Sequence, residues 1–473
     1  MKQLYKIFFI SAILLIVASN IAQAEDKITL TLEKCREMAL ESNNNLKRAS
    51  AQISKSEDML AAYRSNRLPN FSIDGTFIYS DLSHNLTIEG GYLPTYIADA
   101  TTGELTPNIA GLSPDGSYIF NQYAYMPDQL FTIDVGAVFN AGIKVEQPIY
   151  MGGKISNSIK LAQIGVEVAQ ISQRRTESEM ILAADNAFYS YLKVEDMLLS
   201  AEKYCDVIIQ FQKQVESLLR NGMCTRNDLL KVQVRLNEAN LMKRKAENGL
   251  RLARMNLCYV IGLPMTTEQL NVVDDFDMDI IVDQYNLDIT ARPEYELLNK
   301  QVEAKELEVR IARSDFLPSV AAMASYGYYN GTSINDETLL EGSSFTGGVT
   351  VSIPLFHWGE GRRKVSASKH DVNMAKYELA DLSEKMTLEL LQAINSYDEA
   401  VLEVQMCSNS LTQAEENMRQ SGNLYNNGTE TLADYLEAQA LWQKAMSDLT
   451  EAKATQRIAY TQYCKTSGTI LAK

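Results

Sequence analysis

The chain has 473 residues, with 60 acidic against 44 basic side chains for a formal net charge of −16. Such an acidic surface repels polyanions, which excludes nucleic acid as a general partner. Six cysteines (Cys35, Cys205, Cys224, Cys258, Cys407 and Cys464) scattered along this length exclude a disulfide scaffold or a thiolate metal site, and each is expected to pack as a small hydrophobe.

The N-terminal run "MKQLYKIFFISAILLIVASNIAQA" carries Lys2 and Lys6, then an apolar stretch too short to span a bilayer, then Ala22-Gln-Ala24. That pattern reads as a secretory signal peptide over residues 1–24, with cleavage expected after Ala24. Its removal takes two lysines and no acids, so the net charge moves from −16 to −18. No later segment is long and apolar enough for a membrane-spanning helix, so any membrane crossing has to be made by strands.

Strand signals follow in pairs. Phe131–Glu146 places Phe131, Ile133, Val135, Ala137, Phe139, Ala141, Ile143 and Val145 at odd positions, with Thr132, Asp134, Asn140, Lys144 and Glu146 between them and Val138 the only bulky apolar residue at an even position. Phe345–Leu355 alternates in the same way, and Phe71–Ser80 and Val320–Tyr329 do so more loosely. Period two gives each strand one apolar face. A soluble sheet lying on helices would satisfy that pattern, but strands of about 9–11 residues also suffice to cross a bilayer with apolar side chains toward lipid. Four strands cannot close a barrel, and open edges are not tolerated in lipid, so copies of the chain would have to pool their strands as a dimer or a trimer. Between the first two strands, residues 81–130 are rich in Gly, Pro, Asn and Tyr and read as a long ordered loop; 330–344 reads as its shorter counterpart.

Long helices separate the strand pairs. Gly361–Asn427 contains no proline, and Leu390, Ala393, Tyr397, Ala400, Val404, Cys407, Leu411, Ala414 and Met418 step along it by three and four. Such a seam coils against a partner helix. Lys154–Arg220 is a comparable run, and shorter return helices are expected over Thr225–Ile261 and Thr431–Lys465. The turns between them are copies of one another: "LLRNGMCTRNDLLKVQ" (Leu218–Gln233) and "LYNNGTETLADYLEAQ" (Leu424–Gln439). Gly222 and Gly428 fit left-handed helix ends, while Thr225 and Thr431 fit N-caps paired with Asp228 and Asp434. Further matches ("EQPIYMGGKIS" with "SIPLFHWGEGRRK", and the Leu-Pro sites at Leu68 and Leu317) make the chain two halves of one plan.

In this order, with "LTLEKCREMALESNNNLKRA" (Leu30–Ala49) and "ARPEYELLNKQVEAKE" (Ala291–Glu306), these segments resemble the TolC-type outer membrane efflux protein family over nearly the whole mature chain. The resemblance implies a mixed α and β fold. Three chains would share a transmembrane antiparallel β-barrel, four strands each, above a long α-helical coiled-coil barrel with an internal two-fold repeat. It implies a passive duct in the outer membrane that extends through the periplasm. A periplasmic adaptor would open it and an inner-membrane transporter would drive it. The implied divisions are N-terminal equatorial helices (25–68), first strand pair with external loop (69–152), first periplasmic hairpin (153–261) and equatorial linker and helix (262–317). They continue with the second strand pair (318–360), second hairpin (361–467) and C-terminal tail (468–473).

Carried over by position, Tyr425 stands at the family's gate tyrosine, Asp228 at the aspartate it contacts, and Asp434 and Glu437 at two acidic rings. Glu430 occupies the place of the gate arginine, and Arg226 on the other turn is its candidate partner. Gly222, Met223, Gly428 and Thr429 are the expected adaptor contacts. The histidines (His84, His357, His370) show no ligand spacing, and neither a phosphate loop nor a nucleophile motif occurs, so no enzyme activity, metal or cofactor is expected. The competing expectation is a secreted periplasmic coiled-coil structural or adaptor protein without a pore.

Overall fold

The computed structural model describes residues 28–267, 270–273, 282, 284–335 and 337–472. The expected signal peptide (1–24), and 268–269, 274–281 and 283 of the expected equatorial linker, lie outside these residues. The chain forms two compact units: one from residues 1–60, 160–309 and 366–473, the other from 61–159 and 310–365.

The first unit is dominated by helices. After the short strand β1 (Ile28–Leu30) come α1 (Leu32–Ser42) and α2 (Asn44–Ser65), the latter running on into the second unit. The two longest helices, α3 (Lys154–Arg220) and α6 (Glu360–Asn426), have 67 residues each, about 100 Å at 1.5 Å per residue. Each turns back into a shorter helix: α4 (Arg226–Ile261) after α3, and α7 (Leu432–Thr466) after α6. Helix α5 (Pro293–Ser314) and strand β10 (Leu270–Val272) lie between the two hairpins in sequence.

The seam expected on α6 is the side that this helix covers. Leu390, Ala393, Tyr397 and Ala400 are buried and Val404, Cys407, Leu411, Ala414 and Met418 half-buried, so the stripe runs without a break for four heptads. Around the middle of the hairpins, β1 pairs in parallel with β10, and Leu30 and Cys35 pack with Phe188, Leu257 and Ile261. A neighbouring core joins Ile181, Leu390, Ile394, Tyr463, Cys464 and Ile470. Burying one such large side chain contributes about 1.5–3 kcal/mol. An ion pair is enclosed beside them. Asp185, fully buried, accepts from Arg36 Nε at 2.8 Å, Arg36 Nη2 at 2.7 Å and Thr461 Oγ1 at 2.7 Å, which ties α1, α3 and α7 together. No disulfide joins the cysteines among the described residues; burial, and then Asp185, push the Cys35 thiol up to about 12.

The second unit is a four-stranded antiparallel sheet. Its members are β2 (Asn70–Ile88), β9 (Gln129–Met151), β11 (Ser319–Ile334) and β12 (Glu337–Ser352), in the order β12-β11-β9-β2. The register converts alternation within strands into stripes across the sheet. Ile73, Ile143, Tyr326 and Phe345 pair in one continuous row, and Ser72, Lys144, Ser325 and Thr346 in the next. Directly paired residues share a face, so the first row is apolar and the second polar throughout. The apolar row is open to solvent: Ile73 is 81% and Phe345 72% exposed. Gly142 faces Gly327 so closely that a Cβ on Gly142 would lie 2.9 Å from the Gly327 Cα, which explains glycine at that crossing.

Two expectations about connections need correction. Strand β2 continues to Ile88, and β11 and β12 run from Ser319 to Ile334 and from Glu337 to Ser352, so most of 330–344 is ladder and not loop. Polar residues there are carried by backbone pairing, which does not require an apolar face. The segment between β2 and β9 also has structure of its own. It holds β3 (Gly91–Pro94), β4 (Tyr96–Ala98), β5 (Leu105–Pro107), β6 (Ile109–Leu112), β7 (Tyr118–Phe120) and β8 (Tyr123–Met126), paired β3 with β8, β4 with β5 and β6 with β7. No described helix is long and apolar enough to cross a membrane.

Candidate gate at the hairpin tips

Both long helices end in the same way. At the first tip Gly222 takes φ +69°, the Gly222 amide donates to Leu219 O at 3.0 Å and the Met223 amide to Leu218 O at 2.9 Å. At the second, Gly428 has φ +74°, with Gly428 N to Tyr425 O at 3.0 Å and Thr429 N to Leu424 O at 3.0 Å. These paired bonds form a Schellman closure, and the left-handed residue within it is the reason for glycine. Two residues after each closing pair comes a reciprocal cap. The Thr225 amide donates to Asp228 Oδ2 at 3.0 Å while the Asp228 amide donates to Thr225 Oγ1 at 3.2 Å; Thr431 and Asp434 repeat this at 3.4 and 3.3 Å. Asp228 and Asp434 therefore each hold the first turn of a return helix. The hydroxyl and then the amide of Thr225 keep the Asp228 carboxyl below its ordinary range.

The two tips share one hydrophobic core. Tyr204, Cys205, Ile208, Phe211 and Val215 of α3 and Val232 and Ala239 of α4 are buried against Leu432 and Leu436 of α7, with Tyr425, Tyr435 and Trp442 at its margin. Three rings meet where that margin joins the core: Phe211 lies edge-on to Tyr425 at 5.5 Å and to Tyr435 at 4.9 Å, and the two tyrosines stack at 5.6 Å. Gln214 Nε2 donates to Asn426 Oδ1 at 2.7 Å, a direct link between the hairpins. Phe211, Tyr435, Gln214 and Asn426 escape a reading of the turns alone. The available signal was the repeat itself, since Tyr425 and Tyr435 stand where the first hairpin has Leu219 and Leu229.

Tyr425 and Asp228 are brought near one another without a hydrogen bond between them among the described residues. Burial, then Cys224 and Asp228, raise the Tyr425 phenol above its usual value. Arg226 is exposed and makes no ion pair among the described residues, whereas Glu430 is half-buried with its Oε2 enclosed and unpartnered. Met223 and Thr429 are exposed at the ends, as are Asp434 and Glu437, which lie one turn apart on one face of α7. Deeper in the second hairpin, Ser421 Oγ and both polar atoms of Gln439 are buried without partners. Among the described residues no group of three His, Cys, Asp or Glu side chains is placed to hold a metal.

Residues 35–263 and 292–468 match the outer membrane efflux protein family. The chain belongs to that family. Among the curated relatives of this chain is alkaline protease secretion protein AprF of Pseudomonas aeruginosa, 23% identical over 321 residues. The alignment spans 66% of each chain, just under two thirds of AprF. Among solved structures, the CmeC outer membrane channel of Campylobacter jejuni covers 93% of this chain and is covered over 86% of its own, at TM-score 0.68 and 17% identity. CusC, whose structures concern conformational changes accompanying folding and transmembrane channel formation, gives TM-score 0.72 at 13% identity, with 92% and 91% covered. The mixed helix-and-sheet fold of this chain is thus that of known outer membrane channels.

Proposed function

We propose that this protein is the outer membrane exit duct of a tripartite efflux or secretion system: a passive conduit, not a catalyst, that reaches into the periplasm. Three copies share one barrel of 12 strands and one helical tube. A periplasmic adaptor engages Gly222, Met223, Gly428 and Thr429 at the tips, and an inner-membrane transporter supplies the energy. The observation that carries this reading is the sheet. A continuous apolar row crosses all four strands, and among the described residues the outer edges of β12 and β2 are unpaired in the single chain. In lipid those edges must find partners. β2 and β12 run in opposite directions, so β12 of one copy meets β2 of the next in antiparallel register and the alternation continues around the ring. Two copies would supply eight strands and three would supply 12; family resemblance favours three.

Exposed helical faces support pooling as well. Leu230, Val234, Leu241, Leu252 and Tyr259 of α4 fall on one stripe, each at least 49% exposed. Purification of the processed protein in detergent, cross-linking to count subunits and planar-bilayer recording test the proposal. It predicts a trimer with a small cation-preferring conductance, and a water-soluble, non-conducting monomer overturns it.

At the entrance, Asp434 and Glu437 from three copies form stacked acidic rings around the axis, beside Asp228 and Tyr425. Cation preference should vanish in Asp434→Asn/Glu437→Gln; unchanged selectivity reduces these residues to capping and solvation. Arg226 and Glu430 do not pair within the chain, and the latch proposed for them joins neighbouring copies. Exposed pairs contribute about 0.2–1 kcal/mol each, so three copies hold a closure that adaptor binding can outweigh. Arg226→Glu should raise the conductance and Arg226→Glu/Glu430→Arg should restore it; absence of rescue removes the latch.

A further inference from the structure

The lobe between β2 and β9 (residues 89–128) has no counterpart in the second half of the chain, where β11 and β12 are joined directly across residues 335 and 336. The sheet therefore does not need it. It is nevertheless built with care around a three-way junction. The Thr95 amide donates to Gln122 O at 3.1 Å, the Asn108 amide to Thr95 O at 3.0 Å and the Asn121 amide to Asn108 O at 2.7 Å. The side chains reinforce this ring, with Asn121 Nδ2 on Asn108 Oδ1 at 2.9 Å and Thr95 Oγ1 on Gln122 O at 2.8 Å. At the base the Gly90 amide donates to Asp128 Oδ1 at 2.7 Å. Three short antiparallel strand pairs radiate from an ordered centre, so its surface is preformed.

That surface is aromatic and of one charge. Phe120 lies 5.9 Å from Tyr96, 6.1 Å from Tyr118 and 5.9 Å from Tyr123, and Tyr92 lies 5.3 Å from Tyr125. All five tyrosines are at least 52% exposed, and clustered exposed aromatic surface of this kind marks an interaction site. Residues 89–128 contain Glu89, Asp99, Glu104, Asp115 and Asp128 and not one Lys, Arg or His. Backbone amides of Thr101 and Thr102 hold the Asp99 carboxyl below its usual range, and the Ser117 hydroxyl does the same for Asp115, so both stay charged in mild acid.

We infer that this lobe is a docking surface for an extended cationic peptide segment, with Arg and Lys side chains laid on the tyrosine faces and their charge met by the carboxylates. Ring faces attract guanidinium and ammonium groups by their quadrupole. Charge complementarity selects the occupant: the uniform negative sign opposes the same lobe of a second copy and equally a phosphate-bearing lipid surface. The inference rests on the lobe alone and survives failure of the conduit reading.

Binding of a fluorescein-labelled octa-arginine peptide to the whole protein in detergent tests it, with maltoheptaose as the neutral probe. Replacing residues 89–128 by Asn-Gly, Tyr118→Ser/Tyr123→Ser, and Asp99→Asn/Glu104→Gln/Asp115→Asn should each weaken octa-arginine binding by about tenfold or more, with affinity falling steeply as salt rises. The lobe-replaced protein provides the control for misfolded point variants, because its sheet has the same direct connection as β11 and β12; its bilayer conductance should match that of the parent. Equal peptide affinity in parent and lobe-replaced proteins overturns the inference. So does binding of maltoheptaose in place of the peptide, or cross-linking of the lobes of neighbouring copies to one another.

Discussion

Asp185→Ala is the sharpest test of what holds the hairpins to the N-terminal helices. Asp185 is fully buried and receives three hydrogen bonds, two from Arg36 and one from Thr461. Removing one partner of a buried pair costs about 3–5 kcal/mol because the other charge is left without compensation. Two features set the value within that range. The Arg36 side chain keeps 26% of its surface exposed, so it regains part of its hydration. Thr461 retains an acceptor, since its hydroxyl also reaches Arg457 O at 3.3 Å. The expected loss is therefore near the lower end, about 3 kcal/mol. It should be read from guanidinium unfolding in detergent, followed by helical ellipticity. Arg36→Leu/Asp185→Leu should recover most of the loss, because two apolar side chains bury no charge. A cost below about 1 kcal/mol for the single variant, or no recovery in the double, would refute the reasoning.

Three further outcomes are expected. Thr225→Ala and Thr431→Ala should each destabilise their return helix by about 1 kcal/mol, seen as faster amide exchange confined to residues 225–229 or 431–435. Acid should loosen the first tip. The Asp228 carboxyl is held below its ordinary 3.8, so its contribution is complete at neutral pH and disappears as pH falls below 3.8; a pH series of exchange rates at Thr225 and Asp228 reads the change, and protection that rises in acid reverses the sign. Gln439→Leu should stabilise the second hairpin by about 1–2 kcal/mol, because both polar atoms of this fully buried side chain lack partners; a lowered unfolding midpoint would mean that bound water satisfies them.

Much of the candidate gate was legible from its turns. Asn-Gly followed by Thr and Asp at fixed spacing describes a helix end and a helix start through local hydrogen bonds, and both tips form those bonds. The three-ring contact of Phe211, Tyr425 and Tyr435 was not legible. Phe211 lies 214 residues before Tyr425, and nothing in a local pattern names a partner at that range. The same limit applies to Arg36 and Asp185, 149 residues apart.

By itself, the sequence determined the elements whose causes are local: period two in the strands, steps of three and four along the long helices, left-handed glycines and capping boxes at the tips. Tertiary structure alone decided the partners. It set the order β12-β11-β9-β2, which aligns four separate alternations into one apolar row, and it enclosed Asp185, Glu430 and Gln439. The physical reason is range. Backbone geometry and capping act within about one helical turn, whereas register and burial depend on which distant surfaces meet.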